Sequence, residues 1–83
     1  MNLLSGLIDK KTEKILRLFL KNSDEFFHIN KVSNDSKVSL ASTFRIIKNL
    51  VQNDFLEIKK IGKFKIYKLK NNEKTKLLKK SLK

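Results

Sequence analysis

The side chains of this chain that are best suited to chemistry are cations, and their chemistry is the binding of polyanions. Twenty Lys and Arg residues stand against eight Asp and Glu residues, which gives a formal net charge of +12. Residues 59–83 hold eleven lysines and a single acid, Glu73, whereas the first 58 residues are close to balanced. A large one-sided positive field attracts DNA, RNA or anionic lipid. A lysine-rich surface that serves only solubility or heat resistance is the alternative.

Side chains able to catalyse a reaction or to hold a metal are nearly absent. The sequence has no cysteine and a single histidine, His28, which excludes disulfides, thiolate sites and histidine-rich metal sites. The acids are scattered, and none pairs with His28 at an acid–base spacing. No glycine-rich phosphate loop is present. We therefore predict that the protein is not an enzyme and uses no cofactor and no metal.

Candidate DNA-contacting residues form two groups. The first lies in one segment and consists of Ser39, Leu40, Ala41, Ser42, Phe44, Arg45 and Lys48. The second is a lysine cluster made of Lys59, Lys60, Lys63 and Lys65. Arginine can pair bidentately with guanine, and lysines suit phosphates. We expect Arg45 and Ser42 to contact bases or phosphates, although Arg45 could instead hold an acid on the first helices.

Several residues of the first group have roles that the sequence leaves open. Leu40 and Ala41 could contact thymine methyl groups, or Leu40 could seal the corner between two helices. Phe44 could contact a base or sugar, or it could pack against the neighbouring helix. Ser39 suits a helix cap better than a DNA contact, because a serine hydroxyl accepts well from the amides of a first helical turn.

Apolar periodicity and capping residues predict the elements that position these side chains. The predicted elements are a helix over 9–22 capped by Asp9, a short strand within 26–29, a short helix at about 31–36 capped by Asn30, a helix over 40–53 capped by Ser39, a hairpin over 56–69 with Gly62 in its turn, and a helix from Glu73 to about Leu82 capped by Asn71 or Asn72. Asp54 is expected in the left-handed conformation.

This order predicts an α+β fold, a winged helix-turn-helix. Two helices joined at Lys37 and Val38 form the helix-turn-helix, and the basic hairpin that follows is the wing. We expect a three-helix core, a β-hairpin wing and a C-terminal helix in a single domain over residues 1–83. The helix over 40–53 would enter the major groove, and the wing over 59–65 would lie on the backbone or in the minor groove.

Residues 38–69 resemble the winged helix-turn-helix of prokaryotic transcription regulators of the broad ArsR/MarR-like group. The positions that correspond to the pattern of this group are Val38, Ser39, the pair Ala41-Ser42, Arg45, Leu50, the turn residue Asp54 and Tyr67-x-Leu69. The sequence departs from the pattern at Asp54, where glycine is usual, and at Leu40 and Phe44, where polar or basic residues are common. The resemblance implies a DNA-binding regulator, and the cysteine metal site of the arsenic-type sensors does not carry over.

The two ends of the chain predict self-association. Apolar residues recur at Leu3, Leu4 and Leu7 near one end and at Leu77, Leu78 and Leu82 near the other. Phe64 and Ile66 would also face away from the core, and either these C-terminal leucines or a second subunit could cover them. We expect segments 1–8 and 71–83 to contribute to a homodimer, which is also usual for regulators of this group.

Membrane insertion and export are not expected. No apolar run approaches the roughly 18–20 residues of a membrane span, and residues 1–8 are too short and lack the basic flank of a signal peptide. We therefore predict a cytoplasmic, homodimeric, sequence-specific regulator that binds double-stranded DNA. The alternatives are a non-specific architectural DNA-binding protein and a protein-interaction winged helix in a replication or transcription assembly. The sequence does not reveal a small-molecule effector or the target.

Overall fold

The computed structural model describes residues 9–81 of the chain. Within these residues the elements are α1 (Lys10–Lys21), β1 (Phe27–His28), α2 (Ile29–Ser36), α3 (Leu40–Gln52), β2 (Leu56–Ile61), β3 (Phe64–Leu69) and α4 (Glu73–Ser81). The strands form an antiparallel sheet in the order β1-β3-β2. The predicted α+β fold with this element order is confirmed.

Helix α1 begins where a carboxylate caps an amphipathic segment. Asp9 Oδ1 accepts a hydrogen bond from the amide of Thr12 at 2.8 Å, and hydrogen bonding to Thr12 lowers the pKa of Asp9 below its ordinary value. Along the helix Ile15, Leu16 and Phe19 are fully buried. The Phe19 ring meets Phe27 of β1 edge-to-face at 5.3 Å, which attaches the helix to the sheet.

Helix α2 starts two residues earlier than predicted and has a different cap. His28, rather than Asn30, occupies the capping position, and its Nδ1 atom accepts from the amide of Asn30 at 3.2 Å. The pairing of His28 with Ile66 in the sheet holds its backbone extended just before the helix. Asn30 therefore lies inside the first turn, where its amide donates to the cap.

The turn between α2 and α3 contains a strained residue and a dense set of hydrogen bonds. Lys37 has a left-handed conformation with φ 59°. The Val38 carbonyl accepts from Ser33 Oγ at 2.6 Å and from Thr43 Oγ1 at 3.4 Å. Ser39 caps α3, as predicted, because its Oγ accepts from the amide of Ser42 at 3.3 Å. These bonds set the angle at which α3 leaves α2.

Replacing Lys37 with glycine should stabilise the protein. A left-handed residue other than glycine costs about 1–2 kcal/mol, and glycine loses part of this gain through its larger backbone entropy in the unfolded chain. We expect Lys37→Gly to raise the free energy of unfolding by about 0.5–1 kcal/mol, measured by urea denaturation. Lys14→Gly, at an exposed position inside α1, should lower it by about 1 kcal/mol. A loss of stability in Lys37→Gly would argue against strain at this turn.

Helix α3 buries one face and exposes the other. Thr43, Ile46, Ile47 and Leu50 are buried, as their spacing predicts. The chain leaves the helix through Asp54, which has φ 65° and confirms the expected left-handed conformation. The amide of Phe55 donates to the Leu50 carbonyl at 2.9 Å, which closes the end of the helix.

The wing is a two-strand hairpin with a two-residue turn. Ile61 pairs with Phe64, so the turn consists of Gly62 and Lys63, and Gly62 has φ 58°. A glycine with positive φ at the first turn position suits such a hairpin. Leu56, Tyr67 and Leu69 point into the core. Because side chains alternate along a strand, Ile61, Phe64 and their same-face neighbours point to the outer face of the sheet.

Helix α4 is tied to the end of α3. Of the two predicted caps, Asn71 and Asn72, the structure uses Asn72, whose Oδ1 accepts from the amide of Thr75 at 3.0 Å. Its Nδ2 donates to the Asp54 carbonyl at 2.8 Å, and Lys74 Nζ donates to the Asn53 carbonyl at 3.1 Å. These contacts satisfy carbonyls that would otherwise be left open after α3.

The predicted dimer surface is wrong at Leu78. It is 1% exposed and belongs to the hydrophobic core, so it is not available to a second subunit. Leu77, one residue earlier, is 55% exposed. A helix places adjacent residues on different faces, and only the packing of α4 determines which leucine points inward. Leu3, Leu4, Leu7 and Leu82 lie outside the described residues.

Candidate nucleic-acid interface

The exposed face of α3 carries two parallel lines of side chains, each with one residue per turn. Leu40, Phe44 and Lys48 form the first line. Ala41, Arg45 and Asn49 form the second. All six residues are exposed. The predicted contacts Leu40, Ala41, Phe44, Arg45 and Lys48 therefore share one surface, and Asn49 is an exposed amide that the prediction omitted although the spacing of Ala41 and Arg45 points to it.

Arg45 has its guanidinium available to a ligand. Among residues 9–81 it makes no hydrogen bond and no ion pair. The positive charge of Arg45 also lowers the pKa of Asp9, but by less than the hydrogen bonds from Thr12 do. Asp9 therefore feels the charge of Arg45 but does not bind its guanidinium group. All the guanidinium donors remain available for a phosphate or a guanine edge.

The two serines of the segment differ in position. Ser39 is the exposed cap of α3, and its hydroxyl can still donate a proton outward while its oxygen accepts from Ser42. Ser42 is half-buried, in the first turn of the helix. A helix N-terminus also presents unpaired amides and a positive dipole end. The start of α3 thus offers donors suited to a phosphate or a base edge.

The wing carries the four predicted lysines, and all of them are exposed. Lys60 pairs directly with Lys65 across β2 and β3, which puts two like charges side by side on one face of the sheet. Directly opposed like charges destabilise a sheet. Lys63 lies in the turn between them. An anion bound at the wing would relieve this repulsion, so the arrangement favours a polyanionic ligand.

Lys59 differs from the other wing lysines because it contacts an aromatic ring. Its Nζ lies 5.7 Å from the ring centroid of Phe26, and Lys68 Nζ lies 5.4 Å from the same ring. These distances suit cation–π contacts. The prediction missed Phe26 and Lys68, since no sequence spacing relates the loop before β1 to the wing.

The outer face of the wing is partly apolar. Ile61 and Phe64 pair across the end of the hairpin and are 54% and 63% exposed. The His28 ring lies 6.1 Å from the Phe64 ring. Leu77 and Leu78 do not cover Phe64, because the Phe64 side chain stays largely exposed, Leu77 is itself exposed and Leu78 points into the core. The sequence leaves open whether the C-terminal leucines or a second subunit cover Phe64. Residues 73–80 do not cover it.

Residues 9–81 hold no group of three or more potential metal-ligating side chains of the His, Cys, Asp and Glu types. Over the same range, no helix is long and apolar enough to cross a bilayer.

Solved structures with the same fold include DNA-binding proteins. The ferric uptake regulator of Francisella tularensis, solved with iron, has a TM-score of 0.76 at 19% identity, covering 88% of this chain and 60% of that chain. ZitR of Lactococcus lactis, a cysteine-to-serine mutant in complex with DNA, has a TM-score of 0.74 at 17% identity, covering 98% and 54%. Sso10a-2, a DNA-binding protein of Sulfolobus solfataricus, has a TM-score of 0.67 at 27% identity, covering 86% and 73%.

These similarities establish the fold. No protein-family model matches the sequence, and no curated protein matches it. The chain spans 60% of the length of the ferric uptake regulator and about half of ZitR. The predicted winged helix-turn-helix, as found in transcriptional regulators, is confirmed. The ArsR/MarR-like subgroup stays a prediction, because the similar structures include regulators of several kinds.

Proposed function

We propose that this winged helix-turn-helix protein is a non-enzymatic, cytoplasmic transcriptional regulator that binds double-stranded DNA in a sequence-specific manner. The observation that carries the proposal is the exposed face of α3, where Arg45 and Lys48 have no ion-pair partner among the described residues. A helix of this kind fits the major groove. Two of the solved structures with the same fold are ZitR in complex with DNA and the DNA-binding protein Sso10a-2.

Each part of the interface has a distinct role in the proposal. Arg45 and Ser42 contact base edges, and Leu40, Ala41 and Phe44 contact apolar surface in the groove. Lys48 and the cap Ser39 contact phosphates at the two sides of α3. The wing lysines Lys59, Lys60, Lys63 and Lys65 neutralise phosphates or enter the adjacent minor groove.

The test is the selection of bound duplexes from a random DNA pool by the purified protein at about 0.15 M salt, where the electrostatic contribution is screened as in the cell. Enrichment of a defined sequence supports a specific regulator. Two copies of that sequence in inverted orientation, with centres about ten base pairs apart, support a dimer whose recognition helices are one DNA turn apart. An absence of any duplex binding would contradict the proposal and favour a protein partner.

A non-specific architectural role is the second candidate. The lysine excess and the apolar residues Leu40 and Phe44 on α3 favour it, because phosphate contacts alone carry no sequence information. The same selection separates the two functions. Measurable binding without enrichment of any sequence indicates the architectural role.

Self-association is part of the proposal. Of the predicted dimerisation residues that the structure describes, Leu77 is the one exposed to a second subunit. Burying an exposed leucine contributes up to about 1.5–3 kcal/mol, and a two-fold interface uses it twice. We expect Leu77→Ala to weaken dimerisation tenfold or more, measured by analytical ultracentrifugation. Leu40→Ala removes a similarly exposed leucine from α3 and should leave self-association unchanged. Equal dimerisation constants for Leu77→Ala and the unmodified protein would remove α4 from the interface.

A further inference from the structure

We infer that the exposed face of α3 reads the methyl groups of thymine, so that the preferred duplex carries T·A pairs where the first two turns of α3 enter the major groove. The inference rests on the proposed function and names the chemical class of its DNA site. It goes beyond the expectation of DNA binding, because it assigns a base type to the apolar residues of the helix.

Within residues 9–81, the exposure of Leu40 and Phe44 argues against their alternative packing roles. Leu40 is 49% exposed and Phe44 is 59% exposed. The corner between α2 and α3 is filled instead by Val38 and Thr43, which are 5% and 0% exposed and are joined by the hydrogen bond to the Val38 carbonyl. In the described part of the chain, Leu40 therefore does not seal the corner, and Phe44 is not buried against a neighbouring helix.

Apart from the half-buried Ser42 and the amide of Asn49, which lies beyond the first two turns, few groups on this face can read a base by hydrogen bonding. The exposed side chains of α3 up to Lys48 are Leu40, Ala41, Phe44, Arg45 and Lys48. Of these, Arg45 alone has a planar set of donors that matches a base edge. The first two turns thus present mainly hydrocarbon to the groove. The apolar group on the major-groove edges of the four standard bases is the C5-methyl of thymine, and alanine and phenylalanine are side chains that contact it.

Charge favours DNA over an apolar protein partner as the ligand of this face. Arg45 follows Phe44 directly, and Lys48 lies one turn further along the same line. Helix α3 contains no acidic residue. A neutral protein surface seated on Leu40 and Phe44 would have to desolvate these two cations without a counter-charge, which is costly. The phosphates that flank a major groove supply the counter-charge.

Deoxyuridine substitution provides a direct test, because uracil lacks the methyl group and keeps the pairing and hydrogen-bonding edge of thymine. The probe is the highest-affinity duplex recovered from the random pool, with each thymine of a half-site replaced singly by deoxyuridine. For the unmodified protein we expect at least one position at which affinity falls about fourfold, the equivalent of roughly 0.8 kcal/mol for one buried carbon group. Deoxyuridine outside the half-sites should have no effect.

Protein variants show which side chain reads the methyl group. Phe44→Ala and Leu40→Ala should bind the thymine duplex more weakly and should lose the fourfold sensitivity to deoxyuridine at their own positions. Phe64→Ala, which removes an equally exposed phenylalanine from the wing, should keep that sensitivity. All three positions are exposed, so the variants are expected to fold.

The outcomes separate this inference from the proposed function. Tight binding of a selected duplex with no effect of deoxyuridine at any position overturns methyl reading and leaves DNA binding intact. A deoxyuridine effect that persists in both α3 variants overturns the assignment to Leu40 and Phe44. A protein that binds no duplex overturns the proposed function, and this inference with it.

Discussion

Arg45→Ala is expected to lower affinity for the selected duplex by roughly 5- to 150-fold and to relax the preference at one base pair. This range corresponds to the roughly 1–3 kcal/mol of discrimination that a bidentate arginine–guanine contact provides. Arg45 is exposed and unpaired among the described residues, so its removal breaks no internal bond and should leave stability nearly unchanged. Competition binding against duplexes that vary at each position measures both effects.

Two further variants sharpen this test. Arg45→Lys keeps the charge and loses the planar fork, so it should retain affinity for scrambled DNA and lose most of the preference for the selected sequence. Arg17→Ala removes the other arginine, which is ion-paired with Glu13 on α1, and should leave base preference unchanged. Equal losses on specific and scrambled duplexes in Arg45→Ala would show that Arg45 contacts phosphate alone.

Neutralising the wing is expected to change the salt dependence of binding more than any single substitution. If about six phosphates are neutralised, the logarithm of affinity should fall with the logarithm of salt concentration at a slope of roughly −5. Replacing Lys60, Lys63 and Lys65 with alanine should flatten this slope by about 2.7 units, since each lost phosphate contact removes about 0.9. The loss should be the same for specific and scrambled duplexes. Fluorescence anisotropy titrations from about 0.05 to 0.3 M salt measure the slope.

A matched variant separates local contacts from net charge. Replacing Lys76, Lys79 and Lys80 with alanine removes three exposed lysines from α4, which follows the end of β3 farthest from the Gly62 turn. It changes the net charge by the same amount as the wing variant. The slope should then change by much less than about 2.7 units. Similar slopes for the two variants would mean that the wing makes no direct phosphate contacts and that only the overall field of the chain attracts DNA.

The wing variant also carries an expectation about stability. Lys60 and Lys65 face each other across the hairpin, and their repulsion is relieved when both are removed. The free protein should therefore be at least as stable in the wing variant as in the unmodified chain, while DNA binding is weaker. Such an opposition between stability and binding is typical of surfaces that serve a ligand.

Much of the fold and of the candidate site was predictable because the signals are local. Asp9, Ser39 and Asn72 cap their helices since a short oxygen-bearing side chain stands three residues before the amide that it accepts from. The buried stripe of α3 follows from helical spacing alone. The same spacing places Arg45 and Lys48 opposite that stripe, on the exposed side of the helix.

The errors concern residues whose roles depend on neighbours distant in the chain. Asn30 looked like the better cap by residue type, but strand pairing with Ile66 holds His28 extended at the start of α2. Leu77 and Leu78 were equivalent by composition, and only docking of α4 against the core separates them. The sequence left open whether Leu40 seals the corner between two helices or contacts DNA, and its exposure argues against the first role.

By itself, the sequence determined the elements, most of their caps, the cationic excess of the second half and the helix that presents Arg45, since each depends on the geometry of a few consecutive residues. Helical spacing places Leu40 and Phe44 off the buried stripe of α3, but only the tertiary structure decided that the other described elements leave them exposed. It also decided which leucine of α4 enters the core, and that Lys60 faces Lys65 while Lys59 and Lys68 meet on Phe26. These features depend on strand register and on helix docking. Both minimise the free energy of the whole core, and no local pattern encodes them.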